Sequence, residues 1–118
     1  MEYSDEEFIQ FITGHEIVKT RLGEDGFDIV FDNGLVLETY DGCKLAQSLI
    51  NTISRGKETI DCKELDPDFH RKLLDRLVGR TVVKAEIGWK DCIFRFHLDN
   101  GDVVCILKAY AYAIGKEE

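Results

Sequence analysis

The chain has 118 residues, of which 44% are hydrophobic and 32% are charged, which is enough apolar content for one core without metal or disulfide support. No apolar run reaches the ~18–20 residues of a membrane-spanning helix, and the first residues are acidic where a signal peptide is basic. We therefore predict one cytoplasmic domain over residues 1–118, with no membrane contact.

The net charge of −8 is concentrated at the start of the chain. Residues 1–42 contain 11 acidic and 2 basic side chains, whereas residues 79–118 contain six of each. Binding to a phosphate backbone requires a basic face, and the sequence has no basic stripe. Direct binding to nucleic acid is therefore not expected.

The first predicted element is a short amphipathic helix. Ser4, followed three residues later by Glu7, has the pattern of a capping box. Phe8, Phe11 and Ile12 recur on one helical face, which we expect to be buried. A glycine at position 14 ends the helix.

Three strands follow, and Asn33-Gly34 is expected to close the hairpin between the second and the third. Both residues tolerate the positive φ angles of a two-residue type I′ turn. This turn would pair Phe31 with Val36 and Phe27 with Tyr40, which predicts the inward face.

Residues 43–55 are predicted to form a connecting helix, because their apolar side chains recur at helical spacing. A short extended segment, residues 58–62, is expected to follow. No linker rich in proline or serine separates the two halves of the chain, so one shared core is expected.

Residues 66–114 repeat the pattern of residues 4–42. Gly14–Gly23 aligns with Gly79–Gly88 and, after two inserted residues, Phe27–Val36 aligns with Phe94–Val103. A repeat of this kind indicates a duplicated structural unit. In the helix of the second unit, Asp66 is the cap and Pro67 occupies the first helical position. The apolar stripe consists of Phe69, Leu73, Leu74 and Leu77. Gly79 ends the helix.

The second Asn-Gly pair, Asn100-Gly101, predicts an equivalent hairpin. Its expected inward pairs are Leu98 with Val103, Phe96 with Cys105, and Phe94 with Leu107. The predicted fold class is α+β, with the duplicated helix-βββ unit forming an antiparallel sheet of about six strands and the helices packed on one face.

The predicted last strand, residues 103–114, is apolar on both faces. A strand with one solvated face should alternate polar and apolar side chains. A helix of the same chain, a ligand or a second subunit could cover the additional face. We favour self-association through this strand, which predicts a homo-oligomer.

A second hypothesis places an anion-binding surface beside this strand. Cationic side chains near aromatic rings could bind a nucleotide-like molecule through its phosphates and base. The candidate residues are Trp89, Arg95, His97, Lys108, Tyr110 and Tyr112. The alternative is that these charges are only solvated and cover apolar surface.

The acidic first unit provides a candidate surface for a basic protein. A concentrated negative field speeds association with a cationic partner, although solubility alone would explain the same charges. The candidate residues are Glu24, Asp25, Asp28, Asp32, Glu38 and Asp41. Glu38 falls on the predicted inward face, where it would lie either in a pocket or on an uncovered strand.

No motif of catalysis or metal binding is present. The four cysteines are too far apart in sequence for a Cys-x-x-Cys site, and the three histidines have no ligand spacing. We predict a non-catalytic binding protein without metal or cofactor, of the inhibitor, immunity or anti-defence type. The alternative is a small-ligand binder that sequesters or senses an anion.

Overall fold

A computed structural model describes residues 4–23, 26–39, 53–55, 58–60, 71, 74–88, 92–107 and 112–116. These residues are mostly β, with one short helix, and the fold is broadly α+β. The elements are α1 (Asp5–Ile12), β1 (Ile17–Leu22), β2 (Phe27–Phe31), β3 (Leu35–Thr39), β4 (Ile53–Arg55), β5 (Glu58–Ile60), β6 (Val82–Ile87), β7 (Cys92–Leu98), β8 (Asp102–Leu107) and β9 (Tyr112–Lys116).

The strands form two antiparallel sheets. One has the order β1-β2-β3-β9 and the other the order β5-β4-β8-β7-β6. The predicted single sheet of about six strands is therefore wrong. Each sheet contains one three-stranded meander, and strands from elsewhere in the chain complete it.

Helix α1 begins as its sequence predicts. The Ser4 side chain accepts a hydrogen bond from the Glu7 N–H, and the Glu7 carboxylate accepts one from the Ser4 N–H. Phe8 and Ile12 are buried, whereas Phe11 is 45% exposed. The prediction that Phe11 belongs to the buried face is wrong.

The core lies between the two sheets. The Phe8 ring contacts Phe31 of β2 and both Phe94 and Phe96 of β7, at centroid distances of 5.2–6.2 Å. Phe31 also contacts Phe96 edge-on. Helix α1 therefore packs against both sheets, which corrects the expectation of helices on one face of one sheet. Leu74 and Leu77 are buried in the same core, as predicted.

Both Asn-Gly pairs lie at hairpin turns, but the predicted turn type is wrong. The Gly34 N–H donates to the Phe31 carbonyl, and the Gly101 N–H donates to the Leu98 carbonyl. Both glycines have φ near +90°. This geometry fits a three-residue loop, in which the glycine supplies the left-handed residue after a tight turn.

The longer loop shifts each predicted register by one residue. Val36 lies opposite Val30 rather than Phe31. In the second hairpin, Phe96 lies opposite Val104, and Phe94 lies opposite Ile106. Because side chains alternate along a strand, this shift exchanges the two faces of β8. Val104 and Ile106, which were predicted to face outward, are buried core residues.

The predicted continuous strand over residues 103–114 is also wrong. Strand β8 ends at Leu107 and pairs with β7, whereas β9 begins at Tyr112 and pairs with β3 in the other sheet. Two strands in different sheets have different inward faces. The two-sided apolar pattern therefore does not by itself require a second subunit.

The predicted connecting helix over residues 43–55 is wrong at its end, because Ile53–Arg55 form β4. Residues 43–52 lie outside the described residues. The extended segment predicted over residues 58–62 is confirmed at Glu58–Ile60, which form β5, and residues 61–62 lie outside the described residues. Strands β4 and β5 extend the second sheet beyond β8.

Reciprocal hydrogen bonds join residues 14–17 with residues 79–82. The donors and acceptors are Gly14 N–H to Val82 O, Gly79 N–H to Ile17 O, Ile17 N–H to Arg80 O, and Val82 N–H to His15 O. Strands β1 and β6 also have register shifts at matching places, after Ile17 and after Val82.

Candidate functional site

The outer face of the second sheet contains a cluster of charged side chains. Glu86 of β6 lies opposite Arg95 of β7, and His97 lies two residues further along β7, opposite Lys84. The His97 Nε2 is 2.5 Å from Glu86 Oε1, and the Arg95 Nη1 is 4.0 Å from the same oxygen. One half-buried carboxylate therefore contacts both candidate cations.

This arrangement changes the acidity of Glu86. The hydrogen bond from His97 holds the pKa of Glu86 below its usual value of 4.5, and the charges of Lys84, His97 and Arg95 act in the same direction. Partial desolvation opposes them. The carboxylate is thus stabilised in its charged form, and an anionic ligand at Arg95 and His97 would have to compete with it.

The structure does not bring the whole predicted anion-binding set together. Trp89, Lys108 and Tyr110 lie outside the described residues. The same register shift of one residue places Arg95 opposite Cys105 and His97 opposite Val103. Of the predicted set, Arg95 and His97 lie together on the outer face of β7.

Tyr112 lies in the other sheet, opposite Thr39 of β3. Its ring packs edge-on against the core residue Phe94 at 5.2 Å. Its hydroxyl donates a 2.7 Å hydrogen bond to Asp5 Oδ1. Partial burial, together with this carboxylate, raises the pKa of Tyr112 to about 12.

The predicted acidic surface is described at three of its six residues, because Glu24, Asp25 and Asp41 lie outside the described residues. Asp28 is half-buried and forms an ion pair with Arg21 at 3.1 Å. Glu38 lies between Asp28 and Ala113 in the register of the first sheet. It is half-buried on the face opposite the core residue Leu37, so its predicted inward orientation is wrong.

Asp32 lies in the first hairpin loop, away from Asp28 and Glu38. Its Oδ2 accepts a hydrogen bond from the Glu16 N–H, and its Oδ1 contacts His15 Nδ1. The backbone N–H contributes most to lowering the pKa of Asp32, and His15 adds to it. This carboxylate therefore fixes the loop against the start of β1.

Helix α1 and the residues just before β1 carry further carboxylates of the first half. Helix α1 has acidic residues at its first three positions, Asp5, Glu6 and Glu7, and no basic residue in its last turn. Glu16 is exposed at the antiparallel bridge to Thr81. Among the described residues, Glu6 and Glu16 have no ion-pair partner within 4.0 Å.

The sequence did not reveal the buried carboxylate of Asp102. Its side chain is fully buried and accepts two hydrogen bonds from Arg76, from Nε at 3.0 Å and from Nη2 at 3.1 Å. The Asn100 amide donates a further one. The only signal in the sequence is an aspartate after Asn-Gly where the first hairpin has Leu35. A buried carboxylate held this tightly is a structural element.

Across the part of the chain that the structure describes, no three His, Cys, Asp or Glu side chains are placed to hold a metal ion. Over the same residues, no helix is long and apolar enough to cross a membrane. Comparisons with protein-family models, with curated proteins and with solved structures return no match.

Proposed function

We propose that this chain is a non-catalytic binding protein of the cytoplasm, which contacts a basic protein through the acidic surface of its first half. The observation that carries this proposal is the acidic first turn of α1, in which Glu6 and Glu7 are exposed, in a helix that has no basic residue in its last turn. The net charge of residues 1–42, with 11 acidic and 2 basic side chains, extends the field over this half.

The contact surface is centred on the carboxylates that lack a cationic partner among the described residues. Asp28 is already paired with Arg21, and Asp32 contacts His15. Glu6 and Glu16 are exposed and have no such partner among the described residues. Charges of this kind steer a cationic protein and retain their hydration until contact. Inhibitor, immunity and anti-defence roles all belong to this class.

The experiment compares two variants of equal net charge. Glu6→Gln with Glu16→Gln removes two charges from the proposed surface, whereas Asp75→Asn with Asp99→Asn removes two from the second half. Each variant and the wild type are used as bait, and captured proteins are identified by mass spectrometry at increasing salt. Basic proteins should bind the wild type and the control, bind the first variant less, and dissociate as salt rises. Equal capture by the two variants would refute the proposal.

We further propose that the protein forms a homo-oligomer through β9. This strand is at the end of its sheet, and β3 is its only paired neighbour among the described strands. An edge strand has backbone groups that can pair with a second copy. Sedimentation over a range of concentrations tests this proposal, and a monomer at every concentration would exclude it.

We also infer that residues 4–42 and 66–114 are copies of one duplicated unit within a single domain. The reciprocal hydrogen bonds between residues 14–17 and 79–82 support this inference, because each bond has a counterpart in the other half. The matching register shifts of β1 and β6 support it independently. A three-stranded meander does not need these hydrogen bonds or these register shifts in order to form. Their occurrence at matching positions in both halves is therefore difficult to explain by chance similarity of two meanders.

The anion-binding alternative at Arg95 and His97 remains a prediction, and the close Glu86 carboxylate gives it no support. A thermal-shift screen against nucleotides tests it directly, since a ligand at 100 times its dissociation constant adds about 2.7 kcal/mol of stability. No shift with any nucleotide would reject it.

A further inference from the structure

A small cavity opens on the first half, where four segments of the chain meet. Its volume is about 160 Å³, and it is lined by Phe11, Asn33, Leu35 and Lys116. These residues come from the end of α1, the first hairpin loop, the start of β3 and the end of β9. The cavity is distinct from the acidic surface, and an inference about it does not depend on the proposed function.

Asn33 holds the cavity in shape. Its side-chain amide donates a 2.7 Å hydrogen bond to the Phe11 carbonyl, and its Oδ1 accepts one from the Leu35 N–H at 3.1 Å. The apolar wall is thus fixed to the hairpin loop at two points. The Leu35 side chain is buried, whereas the Phe11 ring is 45% exposed.

Lys116 provides a positive charge beside this apolar wall. It lies opposite Leu35 in the pairing of β3 with β9, and it is exposed. Among the described residues, no carboxylate lies within 4.0 Å of its ammonium group. An unpaired cation next to an apolar wall is complementary to a molecule that has both a carboxylate and an apolar group.

The second half of the chain has polar residues at the positions that align with the cavity lining. There the aligned positions are Arg76, Asn100 and Asp102, and the buried Asp102 carboxylate is bound by both of the others. The first half has Phe11 and Leu35 instead of the ion pair. In the second half, the Asp102 carboxylate and the Arg76 guanidinium occupy this position. In the first half, the equivalent position is apolar, and Lys116 lies at its rim.

We propose that this cavity binds a small apolar carboxylate, with the apolar group against Phe11 and Leu35 and the carboxylate on Lys116. A cavity of about 150 Å³ accommodates a benzene ring, so the space fits one aromatic ring or a branched aliphatic group. A ligand this small is expected to bind with a dissociation constant of about 1 mM. The same chemistry occurs in a free aromatic acid and in the C-terminal residue of a peptide.

The test is a two-dimensional amide NMR titration of the whole chain with phenylacetate. Saturable shifts are expected at Phe11, Leu35 and the Asn33 side-chain amide. Lys116→Gln should weaken binding about tenfold, as should replacement of phenylacetate by neutral phenylacetamide. Lys19→Gln is the matched control: it removes an exposed strand lysine outside the cavity and should leave the affinity unchanged.

The two sources of the carboxylate are separated by a second titration with a peptide ending in phenylalanine and with its C-terminal amide. Tighter binding of the peptide acid than of phenylacetate indicates a peptide end, and the reverse indicates a free acid. The proposal is overturned if phenylacetate causes no saturable chemical-shift change at concentrations well above its expected dissociation constant. It is also overturned if the Lys116→Gln variant, folded by its spectrum, binds as the wild type does.

Discussion

The Tyr112 hydroxyl donates a 2.7 Å hydrogen bond to the Asp5 carboxylate and so joins the last described strand to the first turn of the first helix. The two residues are 107 positions apart in the sequence. The contact holds β9 against α1 while the Tyr112 ring packs on Phe94 in the core.

This contact predicts a loss of stability in alkali. The pKa of Tyr112 is raised from 10.0 to about 12 in the folded protein, so the unfolded chain loses this proton first. The contribution of the protonated Tyr112 hydroxyl to the free energy of unfolding is complete below pH 10 and is lost as the pH rises toward 12. Tyr112→Phe should cost about 1 kcal/mol at neutral pH. It should also flatten the alkaline decline of the free energy of unfolding, measured by urea denaturation at each pH. An unchanged decline would contradict the assignment.

Gly26 should tolerate no side chain. A Cβ built at this position would lie 1.9 Å from the Thr39 carbonyl oxygen, and the Thr39 hydroxyl is fixed by hydrogen bonds to the Phe27 backbone. Gly26→Ala must therefore push β2 and β3 apart, and we expect a loss of about 3 kcal/mol in urea denaturation. Gly115→Ala is the control, because its nearest contact is at 3.9 Å. Equal losses in both variants would refute the steric account.

The ion pair of Arg76 with Asp102 should respond very differently to single and double substitution. Arg76→Ala leaves a fully buried carboxylate without its cation and should cost about 3 kcal/mol or more. The double variant Arg76→Phe, Asp102→Leu introduces the residues of the first half. It should lie within about 1 kcal/mol of the wild type, because buried pairs are often replaceable by apolar side chains.

The control for that experiment is Arg80→Ala. Arg80 and Asp99 are 3.7 Å apart and well exposed, so the loss should stay below about 1 kcal/mol. If the double variant is less stable than Arg76→Ala alone, the two halves do not have interchangeable packing at this position. Chemical denaturation of all variants at one pH decides between these outcomes.

Acid should weaken the Glu86 cluster. The pKa of Glu86 is lowered in the folded protein, chiefly by the hydrogen bond from His97. Its contribution to stability is therefore present above the ordinary pKa of 4.5 and is lost as the pH falls through the lower folded value. Glu86→Gln should reduce the acid dependence of the free energy of unfolding. Glu16→Gln, which removes an exposed carboxylate outside the cluster, serves as the control; identical curves for wild type and Glu86→Gln would exclude this effect.

The sequence predicted the local elements well, because their signals are local. The capping box of Ser4 and Glu7 marks the start of α1, and the two Asn-Gly pairs lie at hairpin turns. The turn type was wrong, because an Asn-Gly pair fits both a two-residue turn and the last two positions of a three-residue loop. A shift of one residue in the register was sufficient to place Val104, which was predicted to face outward, in the core.

Long-range relationships were not accessible in the same way. No proline interrupts residues 103–114, so nothing in the local pattern indicated that β8 and β9 belong to different sheets. The shared outer face of Arg95 and His97 follows from alternation and was predicted correctly. Their common partner Glu86 depends on the pairing of β6 with β7, and the cavity at Lys116 depends on the pairing of β3 with β9.

The pairing of β3 with β9 has a consequence for how the protein is made. Leu35 meets Lys116 only after residues 112–116 have been synthesised, so the first sheet stays incomplete while residues 40–111 emerge from the ribosome. An unpaired β3 is open during that period to pairing with another nascent chain. Contacts between residues so distant in sequence also slow folding, which lengthens this exposure. Recovery of folded protein should therefore depend on expression rate and temperature more than on the stability of the finished fold.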